Sequence, residues 1–261
     1  ERAEARADEI LAVREALRMG YRLIDTAEMY GEGGAESMLG EALRQAFAAG
    51  EAQREDLTIV SKVYPHHAST RGVIEACERS LRRLKLDRID LYLLHWRGEY
   101  ALAETLAGFA QLQRRGLILH WGVSNFDVAD LEELFALPGG SACATNQVYY
   151  SLGARGVEFD LLPWQARHRL PLMAYSPIDQ GALGGHPVLQ RIGLRLGVSA
   201  AQVALAWVLR QPEVIAIPKA VRTAHLQDNL AAAELQLSAS NLQALDAAFA
   251  PPGAKQPLAM I

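Results

Sequence analysis

Cysteine and lysine are scarce in this chain of 261 residues, and long hydrophobic runs are missing. Two cysteines are too few for a disulfide framework or a cysteine-rich zinc site. No apolar stretch approaches the ~20 residues that cross a bilayer, and the first residues show no signal-peptide core. The net charge is −4 without any block of like charge, so neither a nucleic-acid groove nor a membrane surface is indicated. These absences favour a globular, cytoplasmic protein.

The few lysines stand in informative places. Only four of the 26 basic residues are lysine, and two of them, Lys62 and Lys219, end apolar runs at 58–62 and 214–219. Arginine keeps its proton in proteins, whereas the lysine ammonium is a compact charge with a tunable pKa. Lysine at these two positions therefore invites a chemical explanation.

The chain repeats a short apolar run, a turn and an amphipathic segment. Runs of consecutive apolar residues predict buried strands at 21–27, 57–63, 89–95, 119–124, 142–149, 170–175 and 214–218. Helical patterns lie between them, at 7–19, 36–49, 70–84, 101–115, 128–137, 200–210, 224–230 and 238–249, and Ser199 and Ser238 are predicted N-caps. Strand–helix units of this length predict a parallel sheet with helices outside.

Seven strands in about 260 residues fit a (β/α)8 barrel that forms one domain over residues 1–261. Such a barrel needs one more strand upstream of Glu1, so we expect the chain to be truncated at its amino terminus. An open doubly wound sheet needs no extra strand, but it should carry a glycine fingerprint after its first strand. The nearest candidate, at 31–36, has Glu36 where the third glycine should stand, and it fails as a dinucleotide fingerprint.

Polar residues follow the apolar runs, at the ends that meet in the mouth of a barrel. Asp25, Tyr30, Lys62 and His95 are four of them. A phenol is a weak acid at neutral pH unless a cation stabilises its anion, and Lys62 would supply that cation while Asp25 holds it. With His95 orienting a carbonyl by a hydrogen bond, the four form a device that protonates an oxygen as hydride reaches the adjacent carbon.

Several segments together resemble the signatures of the aldo-keto reductase family, in the correct order, at 23–31, 89–96, 121–126, 144–150, 173–177 and 215–219. The resemblance covers the chain from about residue 8 to its end. It implies a (β/α)8 barrel that binds NADPH without a Rossmann fold. It also implies a catalytic tetrad, which falls on Asp25, Tyr30, Lys62 and His95.

The resemblance also assigns residues around the cofactor and the substrate. The nicotinamide carboxamide would be held by Ser124, Asn125 and Gln147, and the ring would stack on Tyr175. The pyrophosphate would lie along Ser176, Pro177, Ile178, Gln180 and Gly181. Further cofactor contacts are expected from Ile217, Pro218, Lys219, Arg222, His225, Asp228 and Asn229, with Lys219 on the 2′-phosphate and the last two near adenine. The substrate pocket is expected to be lined by Tyr64 and Trp96.

Two positions depart from the family pattern. The family often has serine where Ala220 stands and arginine where His225 stands. Loss of that arginine removes a planar cation suited to phosphate, and Arg222 compensates only if it turns inward. Because Lys219 remains, NADPH is the expected cofactor, with NADH left open.

The expected function is the NADPH-dependent reduction of aldehydes or ketones. The pattern resembles bacterial family members that act on methylglyoxal and on 2,5-diketo-D-gluconate, so small 2-oxoaldehydes are the favoured substrates. Two alternatives remain: an NADPH-binding redox sensor without turnover, and a Schiff-base aldolase that uses Lys62. No metal site is expected, because His66 and His67 lack a third ligand at a suitable spacing. A monomer or a weak homo-oligomer is expected.

Overall fold

The computed structural model of the protein describes residues 3–261, which alternate between helices and strands. The chain divides into two compact units. The first runs through Ser124 and includes Ala129–Ala144 and Val221–Thr223, and the second comprises Asn125–Val128, Thr145–Ala220 and Ala224–Ile261. The strand expected upstream of Glu1 lies outside the described residues, and the expectation of one domain stays a prediction.

The first unit contains four parallel strands, each followed by a helix. Its elements are α1 (Ala3–Met19), β1 (Leu23–Asp25), α2 (Gly34–Ala48), β2 (Thr58–Val63), α3 (Thr70–Leu84), β3 (Ile89–Leu94), α4 (Leu102–Arg114), β4 (Ile118–Ser124) and α5 (Val128–Ala136, from Ala129 on). The strands pair in chain order, with Ile24 opposite Ile59 and Leu93 opposite both Lys62 and Gly122. β2 and β3 are buried almost throughout, as expected for continuous apolar runs in a parallel sheet.

The second unit contains three parallel strands. Its elements are β5 (Asn146–Tyr149), α6 (Leu161–His168), β6 (Leu172–Tyr175), α7 (Pro187–Leu196), α8 (Ala200–Leu209), β7 (Val214–Ile217), α9 (Thr223–Ala231, from Ala224 on) and α10 (Ala239–Ala248). β6 pairs with β5 through Val148 and Ala174, and with β7 through Ala174 and Ala216. The predicted N-caps are present: Ser199 accepts from the Gln202 backbone and Ser238 from the Asn241 backbone.

The third helix shows how the sequence sets local structure. The Ser69 hydroxyl accepts a hydrogen bond from the Gly72 backbone and caps the start of α3. The helix ends where Lys85 takes a left-handed conformation with φ 56°. Helical spacing puts its buried residues on one face, among them Val73, Cys77, Leu81 and Leu84.

Sequence reasoning missed α6 and α7 and drew several strands too long. Both helices carry proline in the first turn, at Pro163 and Pro187. Proline is tolerated there because the backbone N–H groups of the first turn make no hydrogen bond within the helix. The strand predicted at 142–149 begins only at Asn146, because a 3₁₀ turn occupies Gly140–Ala142. The strand predicted at 21–27 is only three residues long, Leu23–Asp25.

Among the described residues, no single helix is long and apolar enough to cross a membrane. The pair α7 and α8 passes that test together by length and composition, with a 92° bend between them. Seven of the ten residues of α8 are buried inside the protein.

Candidate active site

A buried lysine is the centre of the candidate site. Lys62 lies near the carboxyl end of β2 and has no exposed surface. Its Nζ donates to Asp25 Oδ2 at 2.6 Å, to the Thr26 carbonyl at 3.0 Å and to Tyr30 Oη at 3.0 Å. These contacts occupy all three ammonium protons. Burial lowers the pKa of Lys62, but the neighbouring Asp25 and Tyr30 more than offset this and raise it, so the ammonium stays charged.

A tight turn presents the phenol of Tyr30 to this ammonium. The backbone N–H of Tyr30 bonds to the Ala27 carbonyl at 3.1 Å, and the next three residues are left-handed, ending in Gly33 with φ 87°. Residues with a side chain rarely adopt a φ of 87°, so glycine is favoured at this position. Tyr30 is 37% exposed, which leaves its ring open to a ligand while its hydroxyl is bonded to Lys62.

The protonation of Tyr30 follows from two opposing effects. Burial raises the pKa of the phenol, and the charge of Lys62 lowers it. The net direction is upward, so Tyr30 carries its proton at neutral pH and has a cation beside the oxygen that would lose it. This differs from the expectation based on Lys62 alone, because burial is the larger effect.

His95 follows β3 and is neutral. Its backbone N–H donates to the Val63 carbonyl at 3.0 Å, and its ring lies edge-on to the Tyr30 ring at 5.8 Å. Burial and the charge of Lys62 lower the pKa of His95 to about 3. A neutral imidazole beside a protonated phenol can donate a hydrogen bond to a carbonyl oxygen.

Aromatic side chains continue from His95 to the predicted substrate residues. Trp96 packs on His95 at 4.9 Å between ring centres, and Tyr64 meets Trp96 edge-to-face at 5.8 Å. The exposed ring of His66 lies against Tyr64 at 4.5 Å. The two residues predicted for the substrate pocket are therefore adjacent and next to the candidate site.

A buried carboxylate that sequence reasoning missed ties two of these loops together. Glu28 is 6% exposed, accepts the Tyr64 backbone N–H at 2.8 Å and lies 3.0 Å from His67 Nδ1. It thus links the turn that carries Tyr30 to the loop that carries Tyr64. His67 is engaged by this acid, and no group of three or more His, Cys, Asp or Glu side chains that could hold a metal occurs among the side chains that the structure describes. An acid inside a polar loop gives no sequence signal of burial.

A second carboxylate from the same stretch is also buried. Glu36 accepts the Ser61 hydroxyl at 2.6 Å and Arg83 Nε at 2.6 Å. Ser61 precedes Lys62 on β2, so this acid anchors the start of α2 beside the strand that carries the central lysine. Its arginine lies 47 residues away in the sequence, which is why local spacing did not single it out.

Three predicted cofactor residues lie together in the second unit. The Asn125 backbone N–H donates to the Gln147 carbonyl at 2.8 Å, and the Tyr175 hydroxyl donates to Asn125 Oδ1 at 3.0 Å. The Tyr175 ring stacks on Tyr149 at 5.7 Å, and the Tyr149 hydroxyl donates to Asp179 at 2.8 Å. These contacts fix the ring that is expected to face a nicotinamide.

The loop after β6 carries five further predicted cofactor residues, Ser176, Pro177, Ile178, Gln180 and Gly181. Four of its residues are left-handed: Ser176, Asp179, Gln180 and Gly181. Left-handed residues among right-handed ones turn neighbouring N–H groups to one side, an arrangement suited to anions.

The other predicted cofactor residues are spread over both units. Lys219, Arg222 and His225 are exposed, and Ile217, Pro218, Asp228 and Asn229 are half-buried. Ser124 is buried at the end of β4. Both Ser124 and Arg222 belong to the first unit. Their roles at the cofactor stay predictions.

Comparison with known proteins gives one consistent result. The sequence profile described as "Aldo/keto reductase family" matches residues 2–250. A methylglyoxal reductase of Escherichia coli, YeaE, is 48% identical over 100% of this chain and 91% of its own length. A glyoxal reductase of Bacillus subtilis is 34% identical over 90% of this chain and 82% of its own.

Solved structures agree with the sequence relatives. An aldo-keto reductase of Klebsiella pneumoniae in complex with NADPH is 44% identical and has a TM-score of 0.95, covering 100% of this chain and 91% of its own. With the parallel strand–helix repeat, this likeness confirms the predicted (β/α)8 barrel as the fold class.

Proposed function

This chain belongs to the aldo/keto reductase family, and we propose that it reduces small aldehydes and ketones to alcohols with NADPH. The observation that carries the proposal is the bonding of a fully buried ammonium, Lys62, to both the Asp25 carboxylate and the Tyr30 hydroxyl. A protonated phenol held against a fixed cation suits the delivery of a proton to a carbonyl oxygen.

Each of the four side chains has a separate task in this reaction. Tyr30 donates its proton from Oη to the carbonyl oxygen. Lys62 stabilises the phenolate left behind, and Asp25 holds Lys62 in place and balances its charge. His95, neutral at working pH, donates a hydrogen bond that orients the carbonyl. When bound, a reduced nicotinamide supplies the hydride for the carbonyl carbon.

The second unit offers groups that fit NADPH. Asn125 and Gln147 supply amides for the carboxamide, and Tyr175 supplies a fixed ring for the nicotinamide. The left-handed loop after β6 suits a pyrophosphate, and the exposed Lys219 suits a 2′-phosphate. The NADPH bound to the Klebsiella pneumoniae relative supports this choice, as does the NADP in a second structure of an aldo/keto reductase from that organism.

Small 2-oxoaldehydes such as methylglyoxal are the proposed substrates. The relatives from Escherichia coli and Bacillus subtilis are named for the reduction of methylglyoxal and glyoxal. The adjacent rings of Tyr64 and Trp96 would wall a small pocket beside His95.

The test is NADPH oxidation, followed by absorbance, with methylglyoxal and a panel of small aldehydes, using Tyr30→Phe as the control. We expect turnover in the natural protein and its loss in Tyr30→Phe, which should still bind NADPH because the phenol acts on the substrate. NADPH binding without any turnover would favour a redox sensor. Trapping of substrate on Lys62 by borohydride would instead show an aldolase.

A further inference from the structure

Helices α1, α2 and α3 of the first unit line an open cavity of about 570 Å³ that the proposed reaction does not use. Five of its seven lining residues are cationic: Arg6, Arg79, Arg82, Arg83 and Lys85. Ser37 and Glu41 complete the lining, so Glu41 is the one acid among the lining residues that the structure describes. The lining contains no aromatic residue.

The lone acid does not neutralise the cavity. Glu41 accepts from Lys85 at 2.8 Å and from Arg44 at 2.6 Å, so it is shared between two cations. The bond from Arg44 is the largest of the contacts that lower its pKa, and Glu41 stays ionised. No acidic side chain that the structure describes pairs with Arg82, which is exposed on α3. Positive charge therefore remains in excess.

One of the arginines is held by a buried acid, and a second lies close to another. Arg83 bonds to Glu36 at 2.6 Å, and Arg79 lies 3.7 Å from Glu28. A guanidinium has five N–H donors, so each retains donors for a ligand in the cavity. Holding Arg83 in advance reduces the ordering that binding would otherwise require.

The helix dipole explains only part of this cluster of cations. Arg82, Arg83 and Lys85 lie at the carboxyl end of α3, where cations are favoured by the helix dipole. Arg79 lies further back along α3, and Arg6 comes from α1, so the dipole gives no reason for either to face this cavity.

We propose that this cavity binds a compact anion with two phosphoryl groups. The planar guanidinium matches phosphate oxygens with two parallel hydrogen bonds, and several such groups converge here. The volume of about 570 Å³ is within the ~300–1,000 Å³ of small-molecule sites. Free pyrophosphate and a bisphosphorylated metabolite share this chemistry. The site is separate from the proposed active site and does not depend on the reductase function.

The test is calorimetric titration of the full chain, saturated with NADPH, with inorganic pyrophosphate at low salt. Saturation keeps pyrophosphate out of the proposed cofactor site. We expect one site per chain, with affinity about tenfold lower in Arg82→Gln, equivalent to ~1.4 kcal/mol. Arg71→Gln removes the same charge from α3 at an 89% exposed side chain outside the cavity, and it should change nothing. Glu41→Gln should tighten binding, since it releases Lys85 and Arg44.

Parallel titrations identify the source of the anion. Tighter binding of a sugar bisphosphate than of pyrophosphate would indicate a phosphorylated metabolite, and the reverse order would indicate free pyrophosphate. Three results would overturn the proposal. These are no binding to the natural protein, equal weakening in Arg71→Gln and Arg82→Gln, and binding lost in Lys219→Ala but kept in Arg82→Gln. Urea unfolding of each variant checks that the fold is retained.

Discussion

The buried imidazole of His95 makes the stability of the fold depend on pH. Burial and the charge of Lys62 lower the pKa of His95 from 6.5 to about 3 in the folded chain. Unfolding returns the side chain to water and to an ordinary pKa of about 6.5. Between these two values the unfolded chain holds one more proton than the folded chain, so acid favours unfolding. The stability lost to His95 grows from about pH 6.5 downward until the folded pKa is reached.

The size of the effect at pH 5 follows directly. There His95 is neutral when folded and almost fully protonated when unfolded. Each pH unit below about 6.5 costs ~1.36 kcal/mol, which gives a loss of about 2 kcal/mol relative to pH 7.5. Any folded pKa below about 4 gives nearly the same loss, because the folded imidazole is then neutral at pH 5.

Urea unfolding of the natural protein and of His95→Asn, at pH 7.5 and pH 5, measures this loss. Asparagine keeps a polar side chain but does not titrate. We expect the free energy of unfolding to fall by about 2 kcal/mol more in the natural protein than in the variant between the two pH values. The comparison cancels both the cost of the substitution and the titration of the other six histidines. Equal losses in the two proteins would refute the burial of a neutral imidazole.

Three further substitutions test the contacts described above. Lys62→Met should abolish most turnover. It should also lower the free energy of unfolding by ~3–5 kcal/mol, because the Asp25 carboxylate loses its buried partner. An unchanged midpoint of urea unfolding would show that this pairing is unimportant. Lys219→Ala should raise the Michaelis constant for NADPH by roughly tenfold or more and spare that for NADH, whereas equal effects in steady-state kinetics would remove the 2′-phosphate assignment. Glu28→Ala should lower the free energy of unfolding by ~1–3 kcal/mol and raise the Michaelis constant for the substrate, because the Tyr64 N–H loses its acceptor. A variant with the kinetics and stability of the natural protein would contradict that anchoring role.

The family and the fold class could be predicted because they depend on patterns local to the chain. Consecutive apolar residues identify the buried strands β2 and β3, and strand–helix alternation implies a parallel sheet. Parallel strands bring their carboxyl ends to one side, so polar residues at those ends point to a common site. On this basis alone Asp25, Lys62 and His95 are candidates, and the structure places them around the phenol of Tyr30.

The direction of the Tyr30 pKa could not be predicted in the same way. A nearby lysine predicts a lowered phenol pKa, and this contribution is present in the structure. The opposing contribution of burial depends on how much chain covers the hydroxyl, which is a property of packing and not of spacing. The result is a phenol that is protonated over the whole neutral range and needs the cation only after the proton has left.

The two buried acids that hold the site in place could not be predicted from the sequence, for a related reason. Glu28 stands in a polar, glycine-rich stretch that is typical of an exposed loop, and Glu36 is the first residue of a predicted helix, yet both are buried. Each is stabilised there by an arginine of α3, Arg79 or Arg83, about fifty residues further along the chain. No period or motif connects an acid before or in α2 with an arginine on α3. The candidate catalytic residues can therefore be predicted from their positions at strand ends. The buried ion pairs that hold them in place depend on how the helices pack, and only the structure identifies them.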